Sequence, residues 1–437
     1  MPTHHIIVTG INHRTASLSK RSRYAWDHKT QSDIGNHLWQ LESITQFFIL
    51  TTCNRTEIIC ISNEYSPTIC RKLKNLIPEI ETYQYINFSA IKHILRTLCG
   101  LDSMLVGETE ILGQYKTAVR NTRTKNKQSL TRIIHKIINT AKQVRRTSQL
   151  QAVNITKPVI KTIKSIIGNT HKCRFLCIGS GSVIHQHLQH LRQLSKWPVT
   201  VACRSPEQFK STASIVFVEL SSPDNLLELI KQHDCIISAT SSKSLIIDRK
   251  MLKQIDLHDK LFIDLAVPCD IEPIPDDKKL QRIHLDDLKN TNTPIAIIHD
   301  AQQQCEVLTN ECFEAFYLDQ FNDQIKLFRT QWFHDAEVIS KQIRPQLASL
   351  YLELKNHMQT ICQQMNITAK LPNPPLDSEK KSINRYIKQL AHHPTLIIKE
   401  SIRKNCSLGF ENTQSHEYNI RSSERLINPA LQQSLAE

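Results

Sequence analysis

The sequence predicts a multidomain α/β chain. It has an N-terminal α+β domain, a doubly wound parallel sheet in the middle and a helical C-terminal third. Three observations predict this. Two short runs of β-branched and aromatic residues, Phe47 to Leu50 and Ile58 to Ile61, flank the polar segment Thr51-Thr52-Cys53-Asn54-Arg55-Thr56-Glu57, the pattern of strand, tight loop, strand. Apolar runs alternate with helical stretches from Arg174 to Leu285, as in a parallel sheet covered on both faces. From about Ile298 the pattern changes to long helices, with apolar positions at Cys305, Leu308, Cys312, Phe316 and Phe321. The expected domains are 1–150, 151–290 and 291–437.

In chain order, His4 to Val8 reads as a first strand. It leads to the loop Gly10-Ile11-Asn12-His13-Arg14-Thr15-Ala16, whose two bases either approach a site or solvate a turn. Asp27 to Ser43 and Pro67 to Ile77 are helical in pattern, and Tyr83 to Ile86 is a short strand. Ser89 to Leu98 is a helix with Ser89 as its N-cap, and it carries His93. The chain has only nine glycines, about 2% against a usual ~7%, so each is expected to meet a geometric need. Three of them, Gly100, Gly107 and Gly113, bound a stretch holding Ser103, Glu108, Thr109, Glu110 and Gln114. That stretch reads as a polar loop folded against a ligand and running into a helix from Glu110 to about Lys125. Ser129 to Ser148 is a helix with Ile133, Ile134, Ile137, Ile138 and Ala141 on its apolar side, and Gln149 to Pro158 is a linker. Lys370 to Lys380 is a loop, Ile383 to Ile402 a final helical region, and Ser407 to Glu437 a polar tail.

Cys53 is the candidate nucleophile. It sits in a polar loop beside Arg55, and a nearby cation favours the reactive thiolate. A guanidinium also grips a carboxylate with two parallel hydrogen bonds. The competing reading of a free cysteine is a small buried hydrophobe, and Cys60, Cys177 and Cys235, inside apolar runs, take it. His93 is open in the same way between a structural histidine and a group near the site.

Thirteen cysteines, an odd number without any CxxC pair, speak for a reducing compartment and against disulfide scaffolds and zinc ribbons. No metal is expected. No segment approaches the ~18 uninterrupted apolar residues of a membrane span, and no secretory signal is read at the N-terminus, so a cytoplasmic location is expected. The net charge is +14 and unevenly placed: from Ile111 to Pro206 there are eighteen Lys and Arg and no Asp or Glu. Arg120, Arg123, Lys125, Lys127, Arg132, Lys136, Lys142, Arg145 and Arg146 are dense within that run. Such a face attracts polyanions, or is simply solvated.

Arg174 to Ile178, Gly179-Ser180-Gly181 and a helix through His190 form a strand, a glycine turn and a helix. Glycines at such a turn let the backbone close on a pyrophosphate, and the helix N-terminus offers N–H donors. The candidate contacts are Gly179, Ser180, Gly181, Ser182, Val183 and Ile184, although Ile184 holds the place of the third glycine. The next strand, Val199 to Ala202, ends in Cys203-Arg204-Ser205. Arg204 and Ser205 there suit a 2′-phosphate, so a Rossmann-like domain for NADP is favoured over one for NAD.

Two stretches together, Thr51 to Glu57 and Gly100 to Gln114, resemble the glutamyl-tRNA reductase family. Gly10 to Ala16 resembles its N-terminal signature. Phe262-Ile263-Asp264-Leu265-Ala266-Val267-Pro268 with Asp270, Glu272 and Pro273 resembles its sheet-edge motif, and Leu285-Asp286-Asp287-Leu288 its domain exit. The resemblance is dense from about residue 6 to 290 and thin beyond. It implies NADPH-dependent reduction of glutamyl-tRNA to glutamate-1-semialdehyde through a thioester on Cys53, the first step of tetrapyrrole (5-aminolevulinate) synthesis. By resemblance, Thr52, Asn54 and Arg55 hold the glutamyl group, Ser103, Glu108, Thr109, Glu110 and Gln114 make further substrate contacts, and His93 serves activity. It also implies charged tRNA(Glu) as partner, a homodimer through a C-terminal helical dimerisation domain, and possible hand-over to glutamate-1-semialdehyde aminotransferase. Glu110 stands where the family commonly has Gln, and Cys269 where it often has Arg. Two other functions compete. One is a small-molecule NADP dehydrogenase of the shikimate dehydrogenase type; the other is a tRNA-binding protein without chemistry.

Overall fold

The computed structural model describes residues 4–400 apart from 65, 79, 126–128, 259, 273–280, 289–292, 343–346, 365–368, 373–383, 393 and 398. It divides into two units, 5–306, and 307 onward with the first four residues.

The first unit holds two sheets. One has five antiparallel strands: β1 His5–Asn12, β2 Ile44–Thr51, β3 Arg55–Ser62, β4 Tyr83–Ile86 and β5 Arg123–Thr124, in the order β4-β1-β3-β2-β5. β3 is central and buried along its whole length, which is why Ile58 to Ile61 is an apolar run rather than an alternation. Ile7, Ile11, Phe47, Ile58 and Cys60 pack with Leu38, Ile69 and Leu73 of two flanking helices, His28–Gln40 and Pro67–Lys74. On β2, Phe48 meets Tyr115 of helix Glu110–Arg120, ring to ring at 6.1 Å.

Two local expectations change. The helix from Glu110 ends at Arg120 instead of running to Lys125, because Arg123 and Thr124 pair with Phe47 and Gln46 at the edge of β2. Backbone groups on an open strand edge need partners, and that demand overrides local helical pattern. Ser89 is not the N-cap: the helix begins at Phe88, and the Ser89 hydroxyl accepts from the backbone N–H of Ile86 at 2.9 Å.

The second sheet has six parallel strands: β6 Phe175–Ile178, β7 Val199–Cys203, β8 Ile215–Glu219, β9 Cys235–Ser238, β10 Leu261–Asp264 and β11 Gln281–His284. Their order, β11-β10-β9-β6-β7-β8, is the doubly wound arrangement that binds dinucleotides where the strand order reverses, between β6 and β9. Helices Thr156–Ile167 and Ser182–Leu194 cover one face, and Pro223–Gln232 with Arg249–Leu252 the other. The first of these begins at Thr156, within the stretch expected as linker up to Pro158. Proline in the first turn costs a helix nothing, and Val159 and Ile163 then bury against the sheet.

The long helix Ile295–Gln342 belongs to the first unit through Glu306 and to the second from Val307. In the second unit, Phe328, Trp332, Leu350, Leu354, Met358, Tyr386 and Leu390 form a core, and the Trp332 indole N–H donates to the Ile387 carbonyl at 3.0 Å. The loop after Lys370 lies largely outside the described residues, and the polar tail wholly so. No helix among the described residues is long and apolar enough to cross a membrane.

Candidate active site

β2 and β3 are joined by only three residues, Thr52, Cys53 and Asn54. The Thr52 hydroxyl accepts from the backbone N–H groups of Asn54 and Arg55, both at 3.1 Å. Thr52 therefore shapes the loop, which presents Cys53 half-buried at its tip. The adjoining loop after β1 is pinned to it, with the His13 backbone N–H donating to the Asn54 carbonyl at 3.0 Å.

Arg55 does not serve Cys53 as expected. Successive side chains of a strand alternate faces, so Arg55 shares a face with Glu57, not with the loop. It is 1% exposed. Its Nη1 donates to Glu57 Oε1 at 2.9 Å and to Thr97 Oγ1 at 3.0 Å, and its Nη2 to the Asp102 carbonyl at 2.7 Å. The cation beside Cys53 is Arg21, whose Nε donates to the Cys53 carbonyl at 3.3 Å. The Cys53 thiol is pushed up to about 12 by burial and then by the charges of Glu108 and Glu110, with Arg21 opposing. At rest the sulfur is a thiol, not the thiolate that the Cys–Arg spacing suggested.

Glu57, which sequence reasoning passed over, organises the interior beneath this loop. Its carboxylate is fully buried and accepts from Arg55, from His93 Nε2 at 2.7 Å, from the Tyr83 hydroxyl at 2.6 Å and from the Tyr115 hydroxyl at 3.0 Å. Burial opposes its ionisation, but Arg55 and His93 outweigh that and hold the carboxyl well below the usual range. The available signal was a lone acid inside an apolar strand, two residues from an arginine. A carboxylate only accepts, so His93 Nε2 carries the proton. His93 is buried and stacks on Tyr85 with centroids 4.6 Å apart. It is committed to Glu57 rather than free to act at the sulfur.

The glycine-bounded loop does fold against the Cys53 segment. Gly100 has φ +74°, and a Cβ there would lie 2.8 Å from the Glu108 carbonyl oxygen, so only glycine lets the loop close. Closure buries Ser103 and Glu108, and the Asn54 side-chain amide donates to Glu108 Oε2 at 3.3 Å. The Glu108 carboxyl is pushed up by burial and by Glu110. Thr109 and Gln114 are half-buried at the start of the following helix. Five buried polar atoms in these segments have no hydrogen-bond partner: His13 Nδ1, Thr51 Oγ1, Asn54 Oδ1, Arg55 Nε and Glu110 Oε1. Burial, then Arg55, Arg14 and Arg21, bring His13 down to about 4, so its imidazole is neutral.

At the carboxyl ends of β6, β7 and β9 lies a cavity of about 520 Å³ lined by Gly179, Ser180, Gly181, Ser182, Val183 and Arg204. Gly179 has φ +105°, and a Cβ on it would lie 2.7 Å from the Ala239 carbonyl oxygen. A Cβ on Gly181 would meet no atom within 4 Å, leaving open space over the helix N-terminus that follows. Two expected contacts fail. Ile184 is fully buried in the core under that helix, where the third glycine of the pattern would have served packing, and neither it nor Ser205 lines the cavity. Thr240 and Ser242 line it instead. The Thr240 backbone N–H donates to Asp270 Oδ2 at 2.9 Å and its hydroxyl to Oδ1 at 2.5 Å. These residues fit an NADP-type dinucleotide: a glycine turn, free N–H donors at a helix start, and a guanidinium where a 2′-phosphate would lie.

The basic run divides. Arg145 turns inward onto the carbonyls of Cys99, Gly107 and Glu108 at 2.7, 2.7 and 3.0 Å. Arg123 donates to Asn36, and Lys125 to the Leu41 carbonyl. Arg132, Lys136, Lys142 and Arg146 lie exposed along helix Ser129–Thr147, opposite its buried isoleucines. Arg120 is exposed, and Lys127 lies outside the described residues. Cys269, Asp264 and His284 each bring one possible metal-ligand atom within 4.8 Å of the others, but Arg282 also reaches Asp264, at 3.2 Å, and its charge opposes a cation there.

Comparison with known proteins bears on this geometry. The model "Glutamyl-tRNAGlu reductase, N-terminal domain" matches residues 9–148, and "Shikimate / quinate 5-dehydrogenase" matches 161–291. Glutamyl-tRNA reductase of Pseudoalteromonas translucida (strain TAC 125) is 30% identical over 423 residues, 91% of this chain and 95% of that protein. That of Lawsonia intracellularis (strain PHE/MN1-00) is 33% identical over 306 residues, 65% of this chain and 70% of that protein. The solved glutamyl-tRNA reductase from Methanopyrus kandleri aligns with 92% of this chain and 99% of its own at 20% identity. The TM-score of that alignment is 0.34.

Proposed function

The chain belongs to the glutamyl-tRNA reductase family, and from that premise we propose that Cys53 takes the glutamyl group from charged tRNA(Glu) and holds it for reduction to glutamate-1-semialdehyde. The activity is that of the family, the opening step of tetrapyrrole synthesis. The observation that carries the residue assignment is the place of Cys53, half-buried at the tip of a three-residue hairpin with Asn54 bonded to Glu108 beneath.

The chemistry follows from those surroundings. The glutamyl group of a charged tRNA bears an α-ammonium, and Glu108 and Glu110 offer it two carboxylates. Its arrival offsets the two charges that, after burial, hold the Cys53 thiol up, so substrate binding lowers the thiol pKa. The thiol proton leaves, the sulfur attacks the ester carbonyl, and the bond to the ribose oxygen breaks with release of tRNA as the hydroxyl. Bound NADPH would supply the hydride that reduces the acyl carbon. The carbon–sulfur bond then breaks, yielding the aldehyde, and Cys53 recovers its proton. Gly179 to Val183 would receive the pyrophosphate and Arg204 the 2′-phosphate, which favours NADPH over NADH.

Exposed Arg132, Lys136, Lys142 and Arg146 would meet tRNA phosphates. We read 291–437 as the dimerising part. Val307, Leu327, Val338 and Leu352 are 64%, 48%, 41% and 56% exposed on its helices, apolar area suited to a second copy. The enzyme is read as cytoplasmic, handing its product to the aminotransferase that consumes it.

The test is mass spectrometry after mixing with glutamyl-tRNA and no cofactor. A glutamyl adduct on the Cys53 peptide is expected, and a Cys53→Ser variant that still makes semialdehyde at the full rate would remove Cys53 as nucleophile. The small-molecule reading is not favoured, because the dehydrogenase model matches 161–291 alone, the nucleotide-binding sheet. Micromolar NADPH binding by fluorescence would dispose of the non-catalytic reading.

A further inference from the structure

Arg21 lies on the short helix Leu18–Arg23 and is 3% exposed. A guanidinium is seldom buried unless its donors are used. All three of its nitrogens are. Nε donates to the Cys53 carbonyl at 3.3 Å, Nη1 to the Ala16 carbonyl at 2.8 Å and Nη2 to Asp286 Oδ1 at 2.6 Å. The acceptors lie on three separate segments: the hairpin tip, the loop after β1, and the turn Leu285–Asp287 that directly follows β11. Because the second sheet is wholly parallel, Asp286 leaves it at the same edge as Gly179 and Arg204.

We propose that Arg21 is a positioning residue that ties the Cys53 loop to the carboxyl edge of the nucleotide-binding sheet, with Asp286 as its anchor. The inference rests on Cys53 being the acyl acceptor. An acyl group on Cys53 can be reduced only if its carbon is held within about 3–3.5 Å of the hydride donor, so some contact must set the distance between hairpin tip and sheet edge. A planar guanidinium with three fixed bonds sets both distance and orientation, which the single rotating ammonium of lysine does not. The Asp286 carboxylate is 35% exposed, so the anchor is open to solvent while the Arg21 guanidinium is buried. Arg21 also supplies the positive charge facing Cys53 against Glu108 and Glu110, with His13 neutral beside it.

The experiment separates acylation from reduction. The glutamyl-Cys53 adduct is formed on the full-length protein from glutamyl-tRNA without NADPH, and its reduction is followed in a single turnover after NADPH is added. Arg21→Gln, Arg21→Lys and Asp286→Asn are compared with wild type, together with NADPH affinity by fluorescence. Arg21→Gln and Asp286→Asn are expected to slow reduction of the preformed adduct tenfold or more, with NADPH affinity within twofold. Arg21→Lys is expected to recover adduct formation better than reduction. Wild-type reduction rates in both Arg21→Gln and Asp286→Asn would overturn the proposal, and so would a parallel loss of adduct, reduction and NADPH affinity. Should Arg21→Gln fail to fold, Asp286→Asn at its part-exposed site decides alone. Absence of an adduct in the wild type would instead fail the Cys53 reading.

Discussion

Arg55 and Glu57, two residues apart on one strand, bond to each other at 2.9 Å and are both buried from solvent. That pair turns the guanidinium nearest Cys53 in sequence into the interior and makes Glu57 the acceptor for four side chains.

Glu57→Gln should therefore destabilise the protein by about 3–5 kcal/mol, the usual cost of leaving a buried charge without its partner. Urea denaturation would measure it. The pH dependence has a definite sign. The carboxyl pKa is depressed on folding, so its contribution is complete above the unfolded value near 4.5 and declines as pH falls below that. The variant's stability should thus change less than the wild type's between pH 5 and pH 3.

Glu110→Gln removes one of the two carboxylate charges that hold the Cys53 thiol up. Its pKa should fall from about 12, and alkylation of Cys53 by iodoacetamide at pH 8 should quicken severalfold. Coinciding alkylation profiles would show that the Glu110 charge does not act on the thiol.

Arg204→Gln should raise the KM for NADPH about 10- to 100-fold, the range for a lost charge-assisted hydrogen bond worth ~1.5–3 kcal/mol. The KM for NADH should hardly move. Equal losses with both dinucleotides would mean that Arg204 supports the cavity wall rather than a 2′-phosphate.

Replacing Lys136, Lys142 and Arg146 together by Gln should weaken tRNA binding and flatten its salt dependence. Each lost phosphate contact on a single strand reduces the log–log slope by ~0.7. An unchanged slope would show these bases to be merely solvated.

Much of the site was legible because its signals are local. A polar segment between two short apolar runs reads as strand, loop, strand, which brought out Cys53 and Asn54. Glycine scarcity pointed to Gly100 and Gly179, where backbone approaches of 2.8 and 2.7 Å exclude a side chain. Arg21 and Thr240 gave no such sign. Each matters through partners far along the chain, Cys53 and Asp286 for the first and Asp270 for the second, and no such pairing has a period or a spacing to betray it.

Order along the chain was enough to set strand, turn and helix, the parallel sheet and the residues able to do chemistry, since hydrophobic period and turn residues act over a few positions. Which charge faces which group was left to folding. Arg55 and Arg21 are equally basic as letters, but the alternation of β3 sends one toward Glu57 and the crossing of three segments brings the other to Cys53. Electrostatic influence depends on distance and burial in three dimensions, and only the folded chain supplies either.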